Sequence, residues 1–365
     1  MEFALSQQNL AIAESVGRAM EKLCTVDRLH RFAAEGKPLA EDLWEQLAGL
    51  GLPALLVPEE HDGMGLPLLD AAVVAEELGR HCVPVPFVAA LVMGPLALAL
   101  AGSPDQHRRL LPKVARGELR IGVAMSEMAA GARENAGVTV EQGRLKGKTP
   151  FVIDAAADFF IVADRAGALH LVAADAPGVT CRTLPTLDVT RCIGELILDC
   201  VEGETLGSGD AAIPRRIIDA GRIVLAADTL GASQNMMDAA VAYAKERRQF
   251  GRPIGSFQAV KHMCAEAAAE IEPSRALVWY AAYAFDRRPS EAALMAAHAK
   301  AHLGEVGRMV AKTAIEVHGG VGFTDLIGLH YWFKRINCDR QWLGSPERLR
   351  REAAHMNGLG TSQIV

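Results

Sequence analysis

The chain has 365 residues, half of them hydrophobic and only 5% aromatic, which is roughly two to three times a common domain length with apolar content for sizeable helical cores. Its net charge of −6 lacks the basic excess of a nucleic-acid binder. No apolar run approaches the roughly 20 residues of a membrane span, and the longest candidate, Val88 to Leu100, is broken by Gly94 and Pro95. Met1 to Leu10 lacks the basic and apolar regions of a signal peptide, so the expectation is a cytoplasmic protein. The seven cysteines form no C-x-x-C pair and read as reduced, buried thiols.

Three zones follow along the chain. Residues 1–120 predict a helical domain, with apolar residues at helical spacing in Asp42 to Leu50 and Leu69 to Leu78 and a Gly- and Pro-rich turn at 57–65 between them. Residues 121–205 predict a β domain. Phe159 to Ala163, Leu169 to Val172 and Gly194 to Leu198 are short apolar or alternating runs separated by Gly, Pro and Asp. Residues 213–365 are again helical: no proline falls between Pro214 and Pro253, or from Ser290 to Ser345. Long helices with short connections predict an antiparallel bundle.

Five local patterns carry chemical information. Small residues in Gly122 to Gly131 let a backbone approach a flat ligand or phosphate, although a plain strand and turn explains them as well. Asp219-Ala-Gly-Arg222 puts a glycine inside a helix, at a cost of up to about 1 kcal/mol against alanine, so a ligand or another helix comes close there. Lys245 to Gly255, followed by Phe257 and Gln258, is a basic helix end, read either as dipole compensation or as a guanidinium fork for pyrophosphate. Glu316-Val-His-Gly-Gly-Val-Gly-Phe-Thr324 interrupts a helical run and frees backbone amides. Trp342-Leu-Gly-Ser-Pro-Glu347 is a loop in which Ser345 caps the final helix. His298 and His302 share a helix face but have no carboxylate at zincin spacing, so no metal is expected, and Arg348 to Arg351 reads as a solvated face.

In this order and spacing the patterns resemble the acyl-CoA dehydrogenase family over nearly the whole chain. Val57-Pro-Glu-Glu with Gly63 and Gly65 is similar to its N-terminal signature, and Ala75 to Gly79 to the helix that follows. Arg247-Arg-Gln-Phe-Gly251 with Gln258, and His318 to Phe323, are the most specific pieces. The resemblance implies an α+β, mostly α fold: an N-terminal helical domain, a central β-barrel-like domain and a C-terminal four-helix bundle. It implies FAD shared between subunits of a homo- or hetero-oligomer, α,β-dehydrogenation of an acyl-CoA to a trans-2-enoyl-CoA, and electron transfer to an electron-transferring flavoprotein or similar acceptor. Carried over by position, Val123 to Ala132, with Met125 and Ser126, lines the flavin, and Phe151 and Ile153 stand against its ring. Arg247, Gln249, Phe250, Gln258, Glu316, Gly319 and Gly320 touch a neighbour's FAD. Asp219, Gly221, Arg222, Leu343 and Gly344 lie on the substrate side, and Ser345 and Glu347 contact FAD.

The departures concern chemistry. Leu343 stands where many members carry the glutamate base, and Gly221 fills the alternative base position. Ile153 replaces a threonine, Ala132 a serine and Glu316 a glutamine. Asp219, Asp339 and Glu347 remain as carboxylates that could accept a proton, with no spacing argument for any of them. Three readings stay open: a dehydrogenase with a displaced base; a non-catalytic, FAD-supporting subunit of a heteromeric enzyme; and a redox-neutral flavoprotein acting on acyl-CoA. Pro84-Val-Pro-Phe87 and Phe151-Val-Ile-Asp154 resemble the heteromeric group that acts on steroid side chains and dicarboxylic acyl-CoAs.

Overall fold

The computed structural model describes residues 4–131, 133–207 and 210–359. Its N-terminal part contains α1 (Gln7–Leu23), α2 (Val26–Glu35), α3 (Glu41–Gly49), α4 (Leu68–Arg80), α5 (Gly94–Ala101) and α6 (Pro104–Ala115). Ser6, Thr25 and Ser103 set three of the starts: each side-chain oxygen accepts from the backbone N–H of Asn9, Arg28 or Gln106, a donor with no partner inside the helix. Periodicity did not foresee the π-helical turn Val88–Met93 that runs into α5. The buried carboxylate of Asp154 holds its start, accepting the Ala89 N–H at 2.7 Å.

The middle of the chain forms one mixed sheet: β1 (Ile121–Ala124), β2 (Gly137–Glu141), β3 (Arg144–Ile153), β4 (Phe159–Ala163), β5 (Leu169–Ala173), β6 (Val179–Thr183), β7 (Ile193–Val201) and β8 (Glu204–Leu206). A short helix, α7 (Ser126–Ala130), follows β1. The strand order is β6-β7-β3-β1-β4-β5-β8, with β2 on β3; β1 and β4 run parallel and the other pairs antiparallel. Among the described residues β6 and β8 do not pair, so the sheet is an open path and does not close the barrel-like domain that the resemblance implied. Both end strands are poor closing partners: β6 has no buried position and β8 spans three residues.

The C-terminal part holds α8 (Ile213–Glu246), the hairpin β9 (Arg248–Gln249) and β10 (Arg252–Pro253), α9 (Gln258–Arg287), α10 (Pro289–His318), α11 (Leu329–Gln341) and α12 (Pro346–Met356). The proline-free stretch from Ser290 to Ser345 is divided where the glycines of Glu316 to Thr324 were expected to interrupt it: α10 ends at Gly319 (φ 64°), and two 3-10 turns lead into α11. Helix α8 packs against α9, α10 and α11, and also along α4. The N-terminal helices therefore join the C-terminal layer directly.

A buried charge network ties the parts together. Arg191, before β7, reaches Asp228 on α8 at 2.8 Å and Asp339 on α11 at 3.0 Å. Arg335 on α11 reaches Asp228 at 2.8 Å and donates to the Val83 carbonyl at 2.9 Å. All four charged side chains are inaccessible to solvent. Burial alone would raise the Asp228 carboxyl, but Arg335 and Arg191 outweigh it and hold Asp228 below the usual range; burial pushes its neighbour Asp339 up. The cysteines are free, as expected, and Cys24, Cys82 and Cys192 are buried; Cys200, near the end of β7, is exposed, against the expectation of buried thiols.

Candidate active site

A cleft of about 510 Å³ opens between the sheet and the turn joining α11 to α12, within the size range of ligand pockets. Val123, Met125 and Ser126 come from β1 and its exit, and Phe151 and Ile153 from the end of β3. Phe151 is aimed by a bulge. Thr149 pairs with Leu196 and Val152 with Gly194, so β3 carries one extra residue there. Pro150 cannot donate to the ladder, and Phe151 takes φ 62° with 44% of its surface exposed. The Arg133 guanidinium lies 4.9 Å from its ring centroid. Ser126 Oγ donates to the Pro150 carbonyl at 2.5 Å, fixing the wall below the ring.

The opposite side is the turn Trp342, Leu343 and Ser345. Leu343 sits in the left-handed region (φ 55°), with Gly344 at φ 113°. The turn is held from beneath by Arg222. Its Nε donates to the Leu343 carbonyl at 2.9 Å while its Nη1 pairs with Glu352 at 3.0 Å and Asp219 at 3.2 Å. Ser345 caps α12 by accepting from the Arg348 N–H. Trp342 packs its ring 5.5 Å from the Arg191 guanidinium.

The cleft is basic. Arg133, Arg348 and Arg351 line it, and no Asp, Glu or His does so among the described residues. Cys338 also lines it, but burial pushes its thiol well above the ordinary value, so it stays protonated. The three carboxylates considered from sequence are all engaged elsewhere. Asp219 is buried between Arg215 (3.0 Å) and Arg222. Asp339 belongs to the interior charge network. Glu347 faces solvent and pairs with Arg340 at 2.7 Å; hydrogen bonds from Ser345, its own backbone and Arg340 take its carboxyl down to about 2.

Of the residues assigned from sequence, Met125, Ser126, Phe151, Ile153, Leu343 and Ser345 therefore meet in one cleft. Asp219, Gly221 and Arg222 stand behind its floor rather than on it, and Ala132 lies outside the described residues. Arg247, Gln249, Phe250, Gln258, Glu316, Gly319 and Gly320 form a separate group where α8 and α10 both end, beside the stacked Tyr243 and His318 rings (4.5 Å). There the β9–β10 hairpin turns through Phe250 (φ 51°) and Gly251 (φ 77°), leaving Phe250 93% exposed. Glu316 pairs with Lys312 at 3.6 Å. Arg348, expected on a solvated face, is half-buried and donates to the Ala130 carbonyl at 3.0 Å; it and Arg351, which is exposed as expected, both line the cleft. They are three apart on α12 and so share one of its faces.

Models of the N- and C-terminal domains of acyl-CoA dehydrogenases match residues 6–118 and 207–356. The acyl-CoA dehydrogenase IpdE2 of Mycolicibacterium smegmatis is 31% identical over 355 residues, covering 96% of this chain and 100% of that protein. The chain belongs to the acyl-CoA dehydrogenase family. Among solved structures, a variant of the Tcur3481-Tcur3483 steroid ACAD superposes with a TM-score of 0.87 at 31% identity, covering 96% of this chain and 98% of that one. The ChsE4-ChsE5 complex of Mycobacterium tuberculosis superposes at 0.89 with 26% identity, covering 99% of this chain and 100% of that one. Acyl-CoA dehydrogenases are FAD-binding oxidoreductases. The cleft of this member fits such a group: an apolar wall of Val123, Met125 and Ile153 for a flat ring, with arginines at hand for a phosphate-bearing tail. Among the described residues no helix is long and apolar enough to cross a membrane, and no cluster of three or more His, Cys, Asp or Glu side chains could hold a metal ion.

Proposed function

We propose that this chain is an FAD-supporting subunit of a heteromeric acyl-CoA dehydrogenase and does not itself supply the catalytic base. The observation that carries this reading is the cleft without a carboxylate or imidazole, with Leu343 at the turn where the family's glutamate belongs. FAD, when bound, accepts the hydride that leaves the β-carbon of an acyl thioester. That departure needs removal of the α-proton, and a general base is typically worth 10²–10⁴-fold. An aliphatic side chain cannot accept the proton, and Asp219, Asp339 and Glu347 are each held by arginines away from the cleft.

In this reading Met125, Ser126, Phe151 and Ile153 form the flavin wall, and Ser345 fixes the facing turn. Arg247, Gln249, Phe250 and Gln258, with Glu316, Gly319 and Gly320 beside them, serve the FAD of a neighbouring subunit. The exposures of Phe250 (93%), Phe323 (76%) and Leu326 (79%) support that interface. The similarity to the ChsE4-ChsE5 complex, whose name joins two components, supports a partner of a second kind. Electrons leave to an electron-transferring flavoprotein or similar acceptor.

The test compares the purified chain alone with the chain mixed with a family member that carries glutamate at the Leu343 position. Alone, it is expected to be yellow with FAD but inactive towards straight-chain acyl-CoAs with an artificial electron acceptor; activity is expected on mixing. A substantial rate from the chain alone, unchanged by Leu343→Ala, would defeat the proposal and return the displaced-base reading.

A further inference from the structure

Behind the cleft floor, α8 presents a gap that the chain fills itself. Gly221 is buried in mid-helix, where a Cβ would lie 2.5 Å from Leu343 Cδ1 and 2.6 Å from Met93 Sδ. The space released by the missing side chain is therefore taken by two residues of the same chain. Met93 is fully buried and Leu343 is 5% exposed. Leu343 faces the cleft on its other side, whereas neither Met93 nor any residue of α8 lines it. The helical layer under Leu343 is a large apolar interior next to the cleft, and this contact stands between the two.

Both halves of the contact are fixed from elsewhere. Met93 ends the π-helical turn whose start is held by Asp154, at the end of β3. The next residue, Gly94, lies so close to Ile121 that a Cβ there would sit 2.7 Å from the Ile121 side chain, so the segment cannot withdraw towards β1. Leu343 is held in left-handed backbone, uncommon for a bulky residue, by the Arg222 bond to its carbonyl. Strain that the surroundings hold in place marks a position with a task.

We infer that Leu343 and Met93 form a plug that lets this chain's cleft take a flavin but excludes the hydrocarbon of an acyl thioester. The inference rests on the cleft being the flavin site and deepens it: the residue that removes the base also removes the room for substrate.

The experiment measures binding of acetyl-CoA, butanoyl-CoA and octanoyl-CoA by calorimetry to flavin-loaded wild type and to Leu343→Ala/Met93→Ala. Wild-type affinity is expected to be independent of chain length. In the double variant it should rise with length, approaching roughly fourfold per methylene where burial is complete. A wild type that already gains affinity with length overturns the inference, as does a double variant that binds octanoyl-CoA no better than acetyl-CoA. Should the double variant fail to fold, thermal melts of Gly221→Ala, Leu343→Ala and their combination decide. The contact requires the combination to lose less than the two single variants together, and additive losses overturn it. These melts need no cofactor. Wild type lacking FAD absorbance would defeat the flavin reading alone, with the melts still deciding whether the contact is a plug.

Discussion

At the scale of single residues, several of the positions that shape the cleft depart from ordinary backbone or ordinary ionisation. Phe151, Asp154 and Leu343 all have φ between 55° and 62°, and two of them line the cleft while the third anchors the turn that carries Met93. Asp154 is fully buried. Burial pushes its carboxyl up to about 6, against the opposing pull of the Ala89 amide and Arg191. A raised carboxyl binds its proton more tightly in the folded chain than in the unfolded one. Its contribution to stability is therefore complete below about pH 4 and is lost as pH rises through about 6. Asp154→Asn keeps the acceptor oxygen and cannot ionise. Denaturant titrations at pH 4 and pH 7 should show wild type losing about 2 kcal/mol relative to the variant across that interval. A constant difference would mean that Asp154 does not titrate there. Arg222 acts by its length and planarity: one guanidinium serves a carbonyl and two carboxylates. Arg222→Met leaves Asp219 and Glu352 short of a buried partner and should cost about 3–5 kcal/mol in the same measurement.

At the scale of elements, α4 and α8 approach so closely that glycine is required on both. A Cβ on Gly79 would overlap the Asp228 carbonyl, and one on Gly231 the Glu76 carbonyl and the Arg80 amide. Alanine would favour either helix by about 1 kcal/mol on propensity alone. Here the obstructing atoms are backbone and cannot swing aside, and overpacking typically costs about 1–3 kcal/mol. Gly231→Ala is therefore expected to lower the melting temperature, and a rise would show that the helices can part. How much was legible in the sequence also divides by element. Strands β4 and β5 stood out because their central residues are buried on both faces and read as apolar runs. Strand β3 did not: Lys146, Gly147, Lys148 and Pro150 interrupt it, and the bulge at Phe151 breaks its alternation. The π-helical turn differs from an α-helix only in hydrogen-bond register, which no composition records. Within the cleft, Met125, Ser126, Phe151, Ile153, Leu343 and Ser345 were reached by resemblance. Arg348 and Arg351 were not, because a charged helix face in contact with a cleft and one in contact with water have the same spelling, and Arg133, in the loop after α7, belongs to no pattern.

At the scale of the whole molecule, the exposed apolar groups are unevenly placed. Phe323 and Leu326 follow α10 and Phe250 follows α8, at the same end of the helical layer as the stacked Tyr243 and His318. If that end seats a neighbour, Phe250→Asp with Leu326→Asp should shift sedimentation towards smaller species while circular dichroism is unchanged; an unchanged assembly would remove this surface from the interface. The interior charge network has a different reach. Arg191 precedes β7, Asp228 lies on α8, Arg335 and Asp339 lie on α11, and Val83 follows α4. Parting any one of these segments strands a charge in a dry interior, at a penalty of several kcal/mol per ion. The sheet and the two helical parts are thus unable to melt independently, and calorimetry on the intact chain should record one endotherm rather than a staircase. Arg335→Met, which cuts the link to Val83 and orphans part of Asp228, is where that single heat-absorption peak should first split.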